Sequence, residues 1–355
     1  MGTPQMNATI STRRKGLRLS ERELVTLGSL DGLEGFPLVV TPAIGDLNLA
    51  AWAAGNRQLI NTTLISHGAI LFRGFSSDTV DHFSRFVHTV TTDVLDYQER
   101  AAARTQVAAQ IFTSTEFPRD LPIPLHHEMS FSHCWPGKIL FHCRQPAQSG
   151  GQTPIADDRR VVEQLPKSIK DLFLEKGVMY VKNYGEGLDL SWQEAFQTDN
   201  RHVVERYCND ARMQFEWRSG GRLRTRAIRH VMVPHPTLGT RVWFNHAHMF
   251  HLSSLAAPIR DGLLSQFAED EVPRNAFFAD GSTIPDALME DVRCIYRENM
   301  VAFDWQFGDI LLVDNFLVSH GREPFEGERQ ILVAMAERYS LADDGSSQPQ
   351  FEPRP

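Results

Sequence analysis

Residues Pro124–Cys134 read PLHHEMSFSHC, and this stretch sets the expectation for both fold and chemistry. Alternate side chains of an extended strand point to one face, so a strand here directs His126 and Glu128 one way and His127 the other. One imidazole and one carboxylate make two thirds of the 2-His-1-carboxylate set, which suits non-haem Fe(II) and leaves coordination positions open. The stretch therefore predicts a metal site built on His126 and Glu128.

The third ligand has to come from another part of the chain. Residues 308–325 read GDILLVDNFLVSHGREPF, in which a strand-like run leads into a turn just before His320, and His320 is the best candidate. A His-x-Glu triplet alone is a weak signal, because the chain has 14 histidines. The ordinary alternative is a surface strand on which the His and the Glu are both solvated.

The composition excludes several classes of protein. The 355 residues include 36 basic and 44 acidic side chains, a formal net charge of −8, whereas binding of nucleic acid needs a basic face. No window approaches about 18 uninterrupted apolar residues, and the polar N-terminus lacks the apolar region of a secretory signal. The cysteines show no C-x-x-C pairing, which argues against a zinc ribbon or a disulfide framework. We expect a cytoplasmic protein whose partner is neither nucleic acid nor a membrane.

The pattern along the chain predicts a single domain at residues 19–340 between two flexible segments, 1–18 and 341–355, which are polar. Ser20 and Glu23 form a capping box that predicts a short helix. Short strands with turn residues between them favour a mainly β sandwich or barrel with helices packed outside. Further helices are predicted at 80–90, 157–165 and 168–176, and strands at 67–75, 139–143, 153–156, 227–233, 241–245, 300–305, 310–313 and 330–336.

Four segments resemble the taurine dioxygenase/clavaminate synthase-like family, and they occur in the family's order. They are PLHHEMSFSHCWPGKILFHC (124–143), GGQTPIADDR (150–159), WFNHAHMFHLSSL (243–255) and the 308–325 stretch with its following Arg. The resemblance runs from about Ile65 to Tyr339 and implies an Fe(II)- and 2-oxoglutarate-dependent dioxygenase. It also implies a double-stranded β-helix, or jelly-roll, core with surrounding helices and a large insertion at roughly 157–300. The H-x-E form is similar to the syringomycin-type hydroxylases, which act on amino acids in natural-product biosynthesis.

The resemblance assigns roles to individual residues. His126, Glu128 and His320 match the iron ligands, and Thr153 and Arg329 match the pair that binds the distal carboxylate of 2-oxoglutarate. A guanidinium is a natural bidentate partner for a fixed carboxylate, so the chemistry agrees with the resemblance. The ordinary alternative for Arg329 is a surface ion pair, and for Thr153 it is the preference of threonine for strands. Dioxygen is the second cosubstrate that the family implies.

The resemblance also limits the substrate and the reaction. The taurine enzyme binds the substrate sulfonate with an arginine where this chain has Val333, so a sulfonate is disfavoured. Halogenating members lack the carboxylate ligand, whereas Glu128 is present, which favours hydroxylation. We expect a small amino-acid or amino-acid-derived substrate, free or on a carrier protein, with succinate and CO2 as co-products. Desaturation, epoxidation and ring closure remain alternatives.

Two other groups of residues could carry function. His246, His248 and His251 in WFNHAHMFH would place the first two on one strand face, and we interpret the segment as lining the substrate pocket or supporting it. The arginine-rich stretch 218–229 lacks interleaved aromatic residues, which favours a solvated loop or a pocket arginine over a nucleic-acid patch. A zinc hydrolase with the same three ligands is an alternative, but it would leave Thr153 and Arg329 without a task. A non-catalytic jelly-roll binding protein that kept the sites by descent is another.

Overall fold

A computed structural model describes residues 24–33, 35–96, 99, 104–185 and 190–341. The strands are β1 (Val25–Gly28), β2 (Leu38–Pro42), β3 (Ala69–Phe72), β4 (Gln106–Ala108), β5 (Ile111–Thr113), β6 (Ile123–His126), β7 (Trp135–Gln145), β8 (Ser149–Gly150), β9 (Ile155–Asp157), β10 (Val178–Tyr184), β11 (Gln214–Trp217), β12 (Leu223–Arg229), β13 (Met232–Pro234), β14 (Arg241–Trp243), β15 (Arg274–Phe278), β16 (Ile310–Asp314), β17 (Val318–Arg322), β18 (Phe325–Glu326) and β19 (Gln330–Tyr339). The helices are α1 (Leu49–His67), α2 (Val80–Val90), α3 (Asp158–Gln164), α4 (Lys167–Lys176), α5 (Trp192–Phe196), α6 (Arg201–Asp210), α7 (Ala247–Phe250), α8 (Ala257–Leu264) and α9 (Asp286–Asn299).

The major sheet has the strand order β1-β2-β3-β16-β7-β19-β5-β4, and its neighbours are antiparallel except β2 and β3. Helices α1 and α2 pack on one face together with Ile310 and Leu312 of β16, while Leu311 and Val313 point to the opposite face. Since successive side chains of a strand alternate between faces, β16 has to be apolar throughout to bury both. This explains the unbroken apolar run in its sequence.

A smaller sheet of order β6-β17-β9 packs against the inner face of the major sheet. Ile155 of β9 and Val318 of β17 belong to the same buried cluster as Leu311 and Val313 of β16, so the core lies between the two sheets. Two facing, mainly antiparallel sheets around a common core form the expected jelly roll with surrounding helices. The predicted fold class is confirmed.

The chain between β9 and β16 builds a further layer beside this core. It contributes the sheet of order β11-β12-β10-β15 and the helices α3 to α9. A second buried cluster joins α3, α4 and α9 to β10 and β15 and includes Leu125 of β6. The insertion therefore contacts the strand that carries His126. The domain limits themselves stay predictions, although Leu341 is buried in the core rather than part of a flexible tail.

Most predicted elements occur close to their expected positions. The helix at 80–90 is confirmed, and its N-cap is Thr79, whose side chain accepts from the His82 amide. The predicted strand at 300–305 is wrong, since only Val301 pairs, in an isolated bridge with Ile155. The predicted strand at 227–233 is divided, because β12 ends at Arg229 and β13 begins at Met232. The capping box at residues 20–23 lies outside the described residues.

Two further expectations concern the cysteines and membranes. Cys134, Cys143, Cys208 and Cys294, all within the described residues, form no disulfide. None of the helices that the structure describes has the length and apolar character needed to cross a bilayer.

Truncation of the inner face of β16 tests the position of the core. Leu311 is fully buried between the sheets, so Leu311→Ala is expected to lower the free energy of unfolding by about 2–5 kcal/mol, because it removes apolar contacts and leaves a cavity. Chemical denaturation of the full chain measures this change. Ile259→Ala on α8, where the side chain is 52% exposed, is the control and should change the free energy by less than about 0.5 kcal/mol.

Candidate metal centre

Strand pairing brings two of the three predicted metal ligands together. In the antiparallel ladder between β17 and β6, His320 lies directly opposite His126, and the ring centroids are 4.6 Å apart. On its other side β17 pairs with β9, where Ile155 lies opposite His320. The two imidazoles, although distant in sequence, are therefore fixed by backbone hydrogen bonds on both sides of β17.

The Glu128 side chain lies close to both imidazoles, but a turn rather than the expected strand places it there. Strand β6 ends at His126, and residues 128–130 form a turn in which Met129 has a φ of 59°. The Glu128 backbone is held by Asn315, whose Oδ1 accepts from the Glu128 amide at 2.8 Å and whose Nδ2 donates to the Glu128 carbonyl at 3.1 Å. The prediction of a continuous strand is wrong here, but His126 and Glu128 do share one side.

The three side chains form a group that could hold a metal ion. One ligand atom from each of His126, Glu128 and His320 lies within 4.8 Å of the other two. Nδ1 of His126 lies 2.8 Å from the Pro124 carbonyl, and a hydrogen bond donated there leaves Nε2 as the metal-binding atom. Two imidazole nitrogens and one carboxylate oxygen fit the donor set that non-haem Fe(II) prefers.

The electrostatics of the group favour the protonation states that bind metals. Burial and the neighbouring His320 lower the pKa of His126 to about 3, and burial also lowers the pKa of His320. Burial alone would raise the pKa of Glu128, but the Arg104 guanidinium and His320 outweigh it, so this pKa lies well below the ordinary value. Neutral imidazoles beside a carboxylate are the forms that coordinate a cation.

Arg329 and Thr153 meet in a small cavity that His126 and His320 also line. Nη2 of Arg329 lies 3.4 Å from Oγ1 of Thr153, and its Nε donates to the Gly151 carbonyl at 2.7 Å. Burial, and to a smaller extent the positive charge of the nearby Arg322, lowers the pKa of Arg329 to about 10. A desolvated guanidinium next to a hydroxyl is suited to bind a carboxylate. The guanidinium contacts a carbonyl and two hydroxyls rather than forming the surface ion pair considered as its alternative.

The sequence did not point to two arginines of this cavity. Nη2 of Arg104 lies 2.9 Å from Oε2 of Glu128, and both side chains are almost fully buried. Arg322 donates to the carbonyls of Phe117, Pro118 and Leu121 and so ties their loop to β17. The position of Arg322 two residues after His320 was a usable signal, because alternate strand residues share a face. Arg104 stands in no motif and could be found only in three dimensions.

Only one of the three histidines of WFNHAHMFH comes next to the predicted ligands. The His246 ring lies 5.4 Å from that of His126, whereas His248 contacts the Leu125 carbonyl through Nε2 at 2.7 Å. The prediction that His246 and His248 share one face of a strand is wrong, since residues 247–250 form α7. His251 lies near Ser253 in the following turn. His246 thus adjoins a predicted ligand directly and His248 contacts the backbone beside one, so the interpretation of this segment as lining or supporting the pocket stays a prediction.

The arginine-rich stretch is engaged in local ion pairs. Arg224 lies 2.9 Å and Arg226 3.4 Å from Oδ2 of Asp270, while Arg218 lies 3.0 Å from Glu271. Carboxylates thus face these three arginines. The predicted loop is wrong for residues 223–229, which form β12, with Arg224 buried and Arg226 partly exposed, while a pocket arginine stays a prediction.

Comparisons of sequence identify related proteins. Residues 34–335 match the model of the family described as taurine catabolism dioxygenase TauD, TfdA family. The dapdiamide synthesis protein DdaC of Enterobacter agglomerans is 43% identical over 276 residues, which cover 78% of this chain and 84% of that protein. A clavaminate synthase-like protein of Arabidopsis thaliana is 32% identical over 325 residues, covering 84% of this chain and 93% of that protein.

Comparisons with solved structures find proteins of the same fold. PvcB from Pseudomonas aeruginosa superposes with a TM-score of 0.51 at 16% identity, covering 94% of both chains. A second PvcB structure, described as an Fe, alpha-ketoglutarate dependent oxygenase from an isonitrile synthetic pathway, gives a TM-score of 0.50. AAD-2 in complex with Mn(II) and N-oxalylglycine gives 0.51 at 13% identity, covering 88% of this chain and 96% of that one. At such identities the likeness shows the fold alone.

Gly321 provides a test of the pairing between β17 and β6. A Cβ atom at Gly321 would lie 2.5 Å from the Ile123 carbonyl oxygen and 3.3 Å from the Leu125 amide nitrogen, and backbone atoms cannot rotate away. Gly321→Ala should push the strands apart and weaken the affinity of the apoprotein for Mn(II) by about tenfold or more, as measured by calorimetry. Gly262→Ala, where nothing lies within 4 Å, is the matched control. An unchanged affinity of Gly321→Ala would show that the register is not needed.

Proposed function

Because the chain belongs to the TauD/TfdA family and is therefore an Fe(II)- and 2-oxoglutarate-dependent oxygenase, we propose that His126, Glu128 and His320 hold its iron. We further propose that Thr153 and Arg329 bind 2-oxoglutarate and that the substrate is an amino acid or an amino-acid-derived molecule. Hydroxylation of an unactivated C–H bond is the outcome that the ligand set favours. Desaturation, epoxidation and ring closure are the alternative outcomes of the same site.

The observation that carries the proposal is the shared cavity. His126 and His320 line it together with Thr153 and Arg329, so a metal held by the imidazoles and an anion held by the guanidinium would be neighbours. A zinc hydrolase would use the three metal ligands alone and would need no cationic group for a second anion. The arrangement is what a metal-bound 2-oxo acid with a distal carboxylate requires.

Bound iron and 2-oxoglutarate supply the activation of dioxygen, which is coupled to release of succinate and CO2. The residues of the chain position these groups and exclude water. Glu128 would contribute a carboxylate whose Oε2 lies 2.9 Å from Nη2 of Arg104 and 3.6 Å from Nε2 of His320, and these contacts limit rotation of the carboxylate. Trp305 donates from Nε1 to Oγ1 of Thr153 at 3.1 Å, so the threonine proton stays available to a bound carboxylate.

The residues around His246, which lies beside His126, support the proposal of an amino-acid substrate. Phe131 and Phe250 pack against the His246 ring, with centroids 5.1 and 5.0 Å from it. The Lys182 ammonium lies 3.8 Å from the centroid of the Phe131 ring and 3.8 Å from a carboxylate oxygen of Glu99. We propose that this ion pair beside an apolar wall exchanges its mutual contact for the carboxylate and the amino group of an amino-acid substrate.

The relatives support the same substrate class. The protein that is 43% identical is named for dapdiamide synthesis, which indicates a natural-product pathway, and free and carrier-bound substrates both remain compatible with it. Val333 is fully buried among apolar residues, so no cation at this position is available for a sulfonate. Taurine is therefore disfavoured despite the name of the family.

Removal of the Arg329 guanidinium tests the 2-oxoglutarate site. Loss of a charge-assisted hydrogen bond is expected to raise the half-saturating 2-oxoglutarate concentration about tenfold or more in Arg329→Met. The measurement is an anaerobic titration of the Fe(II) protein, followed by its visible charge-transfer band. Arg85→Met on the exposed face of α2 is the control and should leave the saturation unchanged. His126→Ala should abolish the charge-transfer band in a folded protein. Unaltered saturation in Arg329→Met would overturn this assignment.

Succinate release tests the substrate class. Amino acids, offered free and as carrier thioesters, should stimulate succinate formation above the substrate-free rate, whereas taurine should not. Lys182→Met is expected to raise the KM for the active amino acid about tenfold, because a charged contact is lost, while half-saturation by 2-oxoglutarate stays unchanged. Lys167→Met, at a solvated helix position, is the matched control. Stimulation by taurine and by no amino acid would reject the proposed substrate.

A further inference from the structure

The carboxylate ligand is held differently from the two imidazoles. His126 and His320 are fixed by strand pairing, but Glu128 follows the end of β6 and has no ladder partner among the described residues. Its backbone is held by the side chain of Asn315, which lies in the connection between β16 and β17. The position of Glu128 relative to His320 therefore depends on side chains rather than on a sheet.

We propose that Asp158 and His127 act as a pair of positioning residues that holds the Glu128 turn against the strand of His320. The proposal rests on the assignment of His126, Glu128 and His320 as metal ligands. Neither side chain of the pair has any exposed surface, and Nε2 of His127 lies 3.0 Å from Oδ1 of Asp158. His127 stands between two of the proposed ligands in sequence and points away from them.

Asp158 connects the turn of Glu128 with the strand of His320. Its Oδ2 accepts from the backbone amide of Ser319, the neighbour of His320, at 2.8 Å. Its own amide donates to the Leu317 carbonyl at 2.8 Å, so Asp158 holds both the start of β17 and the residue directly before it. Through Oδ1 the same carboxylate contacts His127, the neighbour of Glu128. One buried carboxylate thus links the segment of Glu128 to the segment of His320.

The other ring nitrogen of His127 completes the connection. Nδ1 lies 2.6 Å from the carbonyl of Asn315, the residue whose side chain holds the Glu128 backbone. Nδ1 thus faces a carbonyl oxygen and Nε2 faces the Asp158 carboxylate at ion-pair distance, so one orientation of the ring keeps both contacts. Rotation of the His127 ring, and with it movement of the Glu128 turn, would break contacts at both ends.

Tyr296 of α9 supplies a matched control within the same network. Its hydroxyl donates to Oδ1 of Asp158 at 2.9 Å, and its ring stacks on His248 with centroids 4.6 Å apart. Tyr296→Phe removes a buried hydrogen bond to the same carboxylate but leaves the contacts of Asp158 to His127 and Ser319 in place. A purely structural role of Asp158 predicts that Tyr296→Phe and Asp158→Asn behave alike at the metal site.

The experiment compares the full-length apoprotein with Asp158→Asn, His127→Gln, the double variant and Tyr296→Phe. Affinity for Mn(II) is measured by calorimetry, and the geometry of the site by the visible absorption bands of bound Co(II). Asp158→Asn and His127→Gln should each weaken Mn(II) binding about tenfold or more and shift the Co(II) bands. The double variant should lose no more than about threefold beyond the weaker-binding single variant, because the two residues act as one unit.

The outcomes separate this proposal from the proposed function. Tyr296→Phe should keep wild-type Mn(II) affinity and Co(II) bands even if its Tm falls. If folded Asp158→Asn and His127→Gln bind Mn(II) like the wild type, or if Tyr296→Phe loses affinity equally, the positioning role is wrong. Additive losses in the double variant would also overturn it. A wild-type protein that does not bind Mn(II) or Co(II) would instead reject the metal site itself.

Discussion

The antiparallel pairing of β17 with β6 is the constraint on which the proposed site depends. It sets His320 opposite His126, and pairing of β17 with β9 fixes the strand from the other side. A slip by one residue would turn every side chain of β17 to the opposite face and would remove His320 from the site. The buried contacts of Val318 with the core oppose such a slip, because they would be exchanged for polar groups.

Charge is arranged around this pairing in two groups. The positive charge of Arg104 offsets the cost of burying the Glu128 carboxylate. Arg329 is also buried, and the cost of burying its guanidinium would be offset by a bound anion. The net charge of −8 gives no sign of this arrangement, because the arginines concerned are few and are placed by the fold. An acidic protein can thus present a cationic cavity to a dicarboxylate when local side chains set the field.

The fold was predictable to a large extent from the pattern of apolar residues. The unbroken apolar run in β16 reflects the burial of both faces of that strand. The helical spacing of apolar residues in α2 reflects the burial of one helix face, so both patterns are visible in the sequence. The strand predicted at 300–305 fails because an extended apolar segment becomes a strand only when a partner lies alongside. The turn at Glu128 was missed for a related reason, since its backbone is held by Asn315, which is distant in sequence.

What the sequence alone determined was the chemistry of the proposed ligands: the His-x-Glu triplet, a distant histidine, and a threonine and an arginine in the order of one known family. Those identities follow from the kinds of atoms that bind a metal or a carboxylate, and these are fixed by residue type. Only the tertiary structure decided that Arg104 contacts Glu128, that Asp158 links His127 to Ser319, and that His246 rather than His248 adjoins the site. The reason is physical: buried polar contacts between distant segments depend on distance and orientation, which no local pattern encodes.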